Sequence, residues 1–174
     1  MTDERFDRAI AAIDAANADS PTGVELDHAR RVTDWVRKLV PEPSETLLLA
    51  ARAHHIRRWT VPRSSYPDGR SGYLRWRRDL HEVHADEAGR ILADVGYDPD
   101  TVARVQDIVC KKRLSSDPEV QALEDALCLV FIETQYDELA GRLDSAKMAS
   151  VVAKTLAKMS DRGRALAGEL MARR

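Results

Sequence analysis

The segment "SETLLLAARAHHIRRW", Ser44 to Trp59, joins a helix start, an alanine-leucine run and an abrupt change of chemistry. Ser44 suits an N-cap before Glu45, and the apolar side chains from Leu47 to Ile56 recur at helical spacing. His54 and His55 stand side by side where that run ends, with Arg57, Arg58 and Trp59 behind them. Adjacent residues on a helix point about 100° apart. The two imidazoles can therefore serve one site only near the helix end.

Working outward, the same period covers the chain. Phe6, Ile10, Ile13 and Ala16 form one face of a first helix, and Glu25 to Leu39 a second that stops before Pro41 and Pro43. After the loop "TVPRSSYPDGRSG" the pattern predicts a fourth helix from Tyr73 to Val95, closed by Gly96. Asp100–Leu114 reads as a fifth and Asp117–Leu139 as a sixth, with Asp117 as cap and Pro118 in the first helical position. Asp144 to Met171 reads as one long or two shorter helices, with Gly163 as a break. No period-two pattern, internal repeat or low-complexity tract interrupts this. The expectation is an all-α bundle of about seven helices in one domain, residues 1–174, with a C-terminal helical extension over 144–172.

Composition agrees: aromatics are 5% and glycines number 8, while 44% of residues are hydrophobic and 32% charged. The net charge of −2 gives no general case for nucleic-acid binding. No basic-then-apolar leader and no span of membrane length is present, so a cytoplasmic protein without membrane attachment is expected. Cys110 and Cys128 lack paired spacing and read as reduced, buried thiols. A homodimer stays open as an assembly.

The five histidines, His28, His54, His55, His81 and His84, fall on only three of the expected helices. His81 and His84 share one helix face. In "VQALEDALCLVFIE", Glu124 and Asp125 interrupt an apolar run, and Asp125 is expected to border the core. A buried carboxylate is costly unless paired or metal-bound. Taken singly, each histidine fits an ordinary core or surface role; taken with the buried acid, a metal site accounts for them together.

The order "LDHARRV", "LLLAARAHHI", "HADEAGRIL" and "LEDALCLV" resembles the HD-domain hydrolase superfamily over roughly residues 25–131. That resemblance implies an HD-like helical bundle in which His28 is the first metal ligand, His54 the motif histidine, Asp125 the distal acid and His84 the extra ligand of two-metal members. Two positions depart from the pattern. His55 stands where the motif has aspartate, and Cys110, Lys111 and Lys112 stand where a further histidine is expected. Over its whole length the chain is also similar to the Domain of Unknown Function 4202 family. "AARAHHIRRWTVPRSSYP", "GYLRWRRDLHEVHA", "LEDALCLVF" and "KTLAKMS" carry that similarity, and it implies no activity.

Imidazole and carboxylate ligands suit a divalent transition ion such as Zn, Mn, Fe, Co or Ni, with His28, His54, His55 and Asp125 as one set. Glu124 is the neighbouring candidate base. Eight arginines fall between Arg52 and Arg78, and arginine forks bind phosphate oxygens. Arg57, Arg58, Arg63, Arg75 and Arg78, with Trp59 and Tyr73, are thus candidate contacts to a small phosphorylated ligand, joined by Lys111 and Lys112 as catalytic cations. Lys154 and Lys158 read as a solvated helix face, and Met148, Val152, Leu156 and Met159 as core. The expected function is a metal-dependent phosphohydrolase acting on a nucleotide or small phosphoester. The alternatives are a metal- or nucleotide-binding regulatory module without turnover and an HD-type iron oxygenase.

Overall fold

A computed structural model describes residues 4–173. Its elements are α1 (Glu4–Ala18), α2 (Val24–Leu39), α3 (Glu45–Ala53), α4 (Gly69–Val95), α5 (Pro99–Val109), α6 (Pro118–Thr134), α7 (Tyr136–Arg142), α8 (Ser145–Leu156) and α9 (Asp161–Ala172), with two single 3-10 turns between α3 and α4. Among the described residues there is no strand, and no helix is long and apolar enough to cross a membrane. The all-α expectation holds. The count differs because the expected sixth helix divides at Gln135, while residues 144–171 take the two-helix form, α8 and α9.

The short helix α3 lies at the centre and touches α1, α2, α4, α5 and α6. Its sequence explains why. Ala50, Ala51 and Ala53 are fully covered, and their small side chains let neighbouring helices approach while Leu47, Leu49 and Ile56 fill the gaps between them. Ser44 caps it as expected, accepting from the Leu47 N–H. Helix α6 is enclosed almost all round, with Val120, Leu123, Ala126, Leu129, Val130 and Ile132 in the same core cluster. Asp117 caps α6, and its carboxylate also receives the Arg104 guanidinium of α5, which pins the α5–α6 turn.

Helix α5 ends five residues before the expected boundary. Lys111 (φ 55°) and Arg113 (φ 61°) adopt left-handed backbone, so the chain turns sharply after Val109. Lys112 and Arg113 then pair with Asp107 on the solvent side, while Lys111 turns inward. The loop after α3 is tied down at several points. Arg63 donates to the Tyr66 and Pro67 carbonyls, and the Trp76 indole N–H donates to the Val61 carbonyl at 2.9 Å. Gly72 makes the return possible, since a Cβ there would lie 1.8 Å from the Pro67 carbonyl oxygen.

Candidate functional site

The five histidines meet. The rings of His28, His55 and His54 form a stack with centroids 4.3 and 4.4 Å apart, tilted by 10° and 28°. His84 lies 5.8 Å from His55 and 6.5 Å from His54, and His81 lies 6.4 Å from His54. Three elements deliver them: His28 from the first turns of α2, His54 and His55 from the turn closing α3, and His81 and His84 from one face of α4. The end of α3 lets both adjacent histidines take part, because the chain there is already leaving the helix.

Burial holds all five neutral at pH 7. It pushes His28, His81 and His84 down to about 4, with Arg58 next among the causes for His28, Lys111 for His81, and the Ile56 carbonyl working the other way for His84. His54 and His55 are driven well below the usual imidazole range, by burial first and then by neighbouring imidazoles and cations.

Hydrogen bonding fixes two tautomers. His84 Nδ1 sits 2.8 Å from the Ile56 carbonyl, which can only accept, so Nδ1 carries the proton and Nε2 presents a lone pair. His55 Nε2 lies 3.3 Å from Arg58 Nη1, which can only donate, so that lone pair is taken by the guanidinium. Among the described residues, His28 Nε2, His54 Nδ1 and His84 Nε2 are buried without a hydrogen-bond partner. Buried polar atoms are rarely left so. Uncharged imidazoles with free lone pairs, one of them oriented by a backbone carbonyl, have the donor chemistry of transition-metal ligands. Among the described residues, no three His, Cys, Asp or Glu side chains are already gathered at metal-binding distance.

The cluster borders a cavity of about 590 Å³ lined from α2, the α3 end, α4, α6 and α8. Arg58, Arg77, Lys111 and Lys158 supply cations, and Glu25 and Glu124 carboxylates. Arg58 is braced over the Trp76 ring at 4.8 Å, and burial beside Arg77 lowers its pKa. Lys111 is bonded to Glu124, and Lys158 reaches the other Glu124 oxygen at 3.9 Å.

Several expected residues lie elsewhere. Asp125, 2% exposed, faces away from the histidines toward α9. Its Oδ1 accepts from Gln121 Nε2 and the Ser160 N–H, each at 2.9 Å, and its Oδ2 from the Ser160 hydroxyl. That hydroxyl caps α9 by accepting from the Gly163 N–H. The cause is the 100° step between neighbours on α6: Glu124 turns to the cavity and Asp125 to the adjoining helix. Lys112 is paired with Asp107 at the surface, and Arg57 with Asp19 and Glu87. Arg63 serves the loop, Arg78 pairs with Asp79, and Arg75 lies with Arg70 on an outer surface. Trp59 is not among the cavity-lining residues, whereas Tyr73 is.

Lys158 is exposed, as expected, and also lines the cavity, as does Arg77. Arg77 had a usable signal, since Tyr73, Arg77, His81 and His84 fall at helical spacing on α4. Cys110 and Cys128 are both free thiols; Cys128 is buried beside the cavity, and that burial pushes its pKa up to about 12.

The family model described as Domain of unknown function (DUF4202) matches residues 7–174. No curated protein and no solved structure matches the chain.

Proposed function

The chain belongs to the Domain of unknown function (DUF4202) family, and from the contents of its cavity we propose that it is a metal-dependent phosphohydrolase with an HD-like site, acting on a small phosphoester. The observation that carries this reading is the set of buried, neutral, partner-free nitrogens on His28, His54 and His84 beside a cationic cavity. Those three imidazoles would hold a divalent transition ion, with Zn, Mn, Fe, Co and Ni as the candidates by ligand type. Such an ion, when bound, supplies Lewis acidity and lowers the pKa of water, to about 7 in favourable zinc sites.

The protein's own groups do the rest. Arg58 and Arg77 offer guanidinium forks to phosphate oxygens, and the brace on Trp76 fixes the direction of the Arg58 fork. Lys111 and Lys158 add mobile positive charge where negative charge grows during phosphoryl transfer. Glu124 has lysines on both oxygens, so it positions those cations rather than acting as the base. His55, with its Nε2 lone pair on Arg58, takes the aspartate's place as an orienting group and not as a further ligand through that atom. The test is phosphate release from a panel of phosphoesters with added Mn²⁺, Co²⁺, Ni²⁺ or Zn²⁺. Turnover that needs metal and is lost in His54→Ala supports the reading; none with any metal refutes it.

A second reading, a ligand-binding module without turnover, is favoured by Asp125. Its oxygens are engaged by Gln121 and Ser160, which leaves the imidazoles without that carboxylate as a co-ligand. Tight phosphoester binding without product would select it.

A further inference from the structure

The cavity has a second wall whose chemistry is unlike the histidine side. On α6, Glu124, Leu127, Cys128 and Phe131, with Gln135 at its C-cap, line the cavity at offsets of three, four, seven and eleven residues. Also lining the cavity, Val151 and Thr155 of α8 and Lys158 just beyond its end follow the same helical spacing. The two stripes are in register. Lys158 meets Glu124 at 3.9 Å, and the Cys128 thiol lies 4.0 Å from the Thr155 carbonyl one turn further on. Phe131 and Val151 line the same cavity another turn along their helices. Seven residues at 1.5 Å rise make this wall about 10 Å long.

Apart from the Thr155 hydroxyl and the terminal Gln135 amide, that wall offers thiol, aliphatic and aromatic surface and no charge beyond Glu124 and Lys158 at its foot. Near the mouth, Val24 is 63% exposed and Tyr73 42% exposed, apolar surface that the fold leaves open. The four cavity cations exceed its two carboxylates by two. That positive excess suits an anionic phosphoryl group.

We infer that the cavity selects a phosphoester whose organic part is uncharged and apolar or aromatic, with the phosphoryl group against the cations and the organic group on the Leu127–Phe131–Val151 wall. This rests on the phosphate-binding part of the proposed function and narrows its substrate class.

Methylphosphonate and phenylphosphonate test it in mildly alkaline buffer, where both are dianions, because they differ in the organic group and have a carbon–phosphorus bond that hydrolysis leaves intact. Isothermal titration of the full chain should find phenylphosphonate binding about tenfold tighter, the gain from burying roughly 60 Å² of ring. Val151→Asn and, independently, Leu127→Asn should reduce that ratio toward one while leaving the methylphosphonate affinity within about twofold of the parent. Equal binding of the two by the parent protein overturns the inference and leaves the hydrolase reading standing. Absence of binding by both overturns the inference and the phosphate pocket with it. A retained preference in a protein that turns over no phosphoester keeps the inference and removes the hydrolase.

Discussion

Replacing Asp125 by alanine separates a structural carboxylate from a metal ligand. The side chain receives three hydrogen bonds, from Gln121 Nε2, the Ser160 N–H and the Ser160 hydroxyl, and is 2% exposed. Hydrogen bonds to charged groups each contribute about 1.5–3 kcal/mol, but they share one acceptor and do not add fully. Loss of the carboxylate strands a buried backbone N–H and weakens the Ser160 cap of α9, so the expected cost is about 3–5 kcal/mol. For a domain of this size that corresponds to a fall in Tm of roughly 10 °C. Urea unfolding followed by circular dichroism measures it, with metal content determined on the folded fraction of the same samples. Asp125→Asn should lie between the variant and the parent, since an amide oxygen can still accept. An unchanged unfolding midpoint together with loss of metal would refute this reasoning and return Asp125 to the ligand set.

Other expected outcomes follow from the same geometry. Gly163→Ala should cost about 1–3 kcal/mol in the same unfolding assay, because the new Cβ would sit 2.7 Å from the Asp125 carboxyl carbon. Arg58→Lys should weaken methylphosphonate binding about tenfold by titration calorimetry, since an ammonium replaces the fork and loses the brace on Trp76. In metal-free protein, His84 protonates near pH 4 when folded and near 6.5 when unfolded, so between those values the unfolded chain binds the additional proton. Stability is therefore complete above pH 6.5 and falls as the pH drops toward 4, by about 3 kcal/mol for this fully buried ring. Urea midpoints at successive pH values should show the decline and His84→Gln should lessen it; parallel curves for the two proteins would exclude the effect.

The helices were legible where local chemistry marks both ends. Ser44, Asp117 and Gly96 are caps with unambiguous signals, and each terminates its helix as the residue type predicts. The early end of α5 carries no such mark. Lys111 and Arg113 are ordinary helix formers held in left-handed backbone, in a turn closed by the Lys111 and Lys112 N–H groups on the Ile108 and Asp107 carbonyls and by the Lys111–Glu124 pair. The α6–α7 break at Gln135 likewise lacks proline or glycine. Before α9 the decisive residue is Ser160, three positions ahead of Gly163, where the break was expected.

The site shows the same division. Convergence of the histidines could be anticipated because all lie on a few helix faces within the first half of the chain. The choice between Glu124 and Asp125 could not, since both interrupt one apolar run and only the placement of α8 and α9 decides which faces the cavity. Lys158 is exposed, as its spacing suggests, but its approach to Glu124 is a long-range contact that the spacing does not show. Most loop arginines proved to be struts, because an arginine count does not reveal nearby acceptors such as Glu87 or the Pro67 carbonyl.

Metal content by mass spectrometry on tag-free protein, beside His54→Ala/His84→Ala and Asp125→Asn variants shown to be folded, tests the central claim most directly. The account predicts near-stoichiometric divalent transition metal in the parent and in Asp125→Asn, and its loss from the double histidine variant. Metal kept by the double histidine variant, or none in the parent after reconstitution, would contradict it.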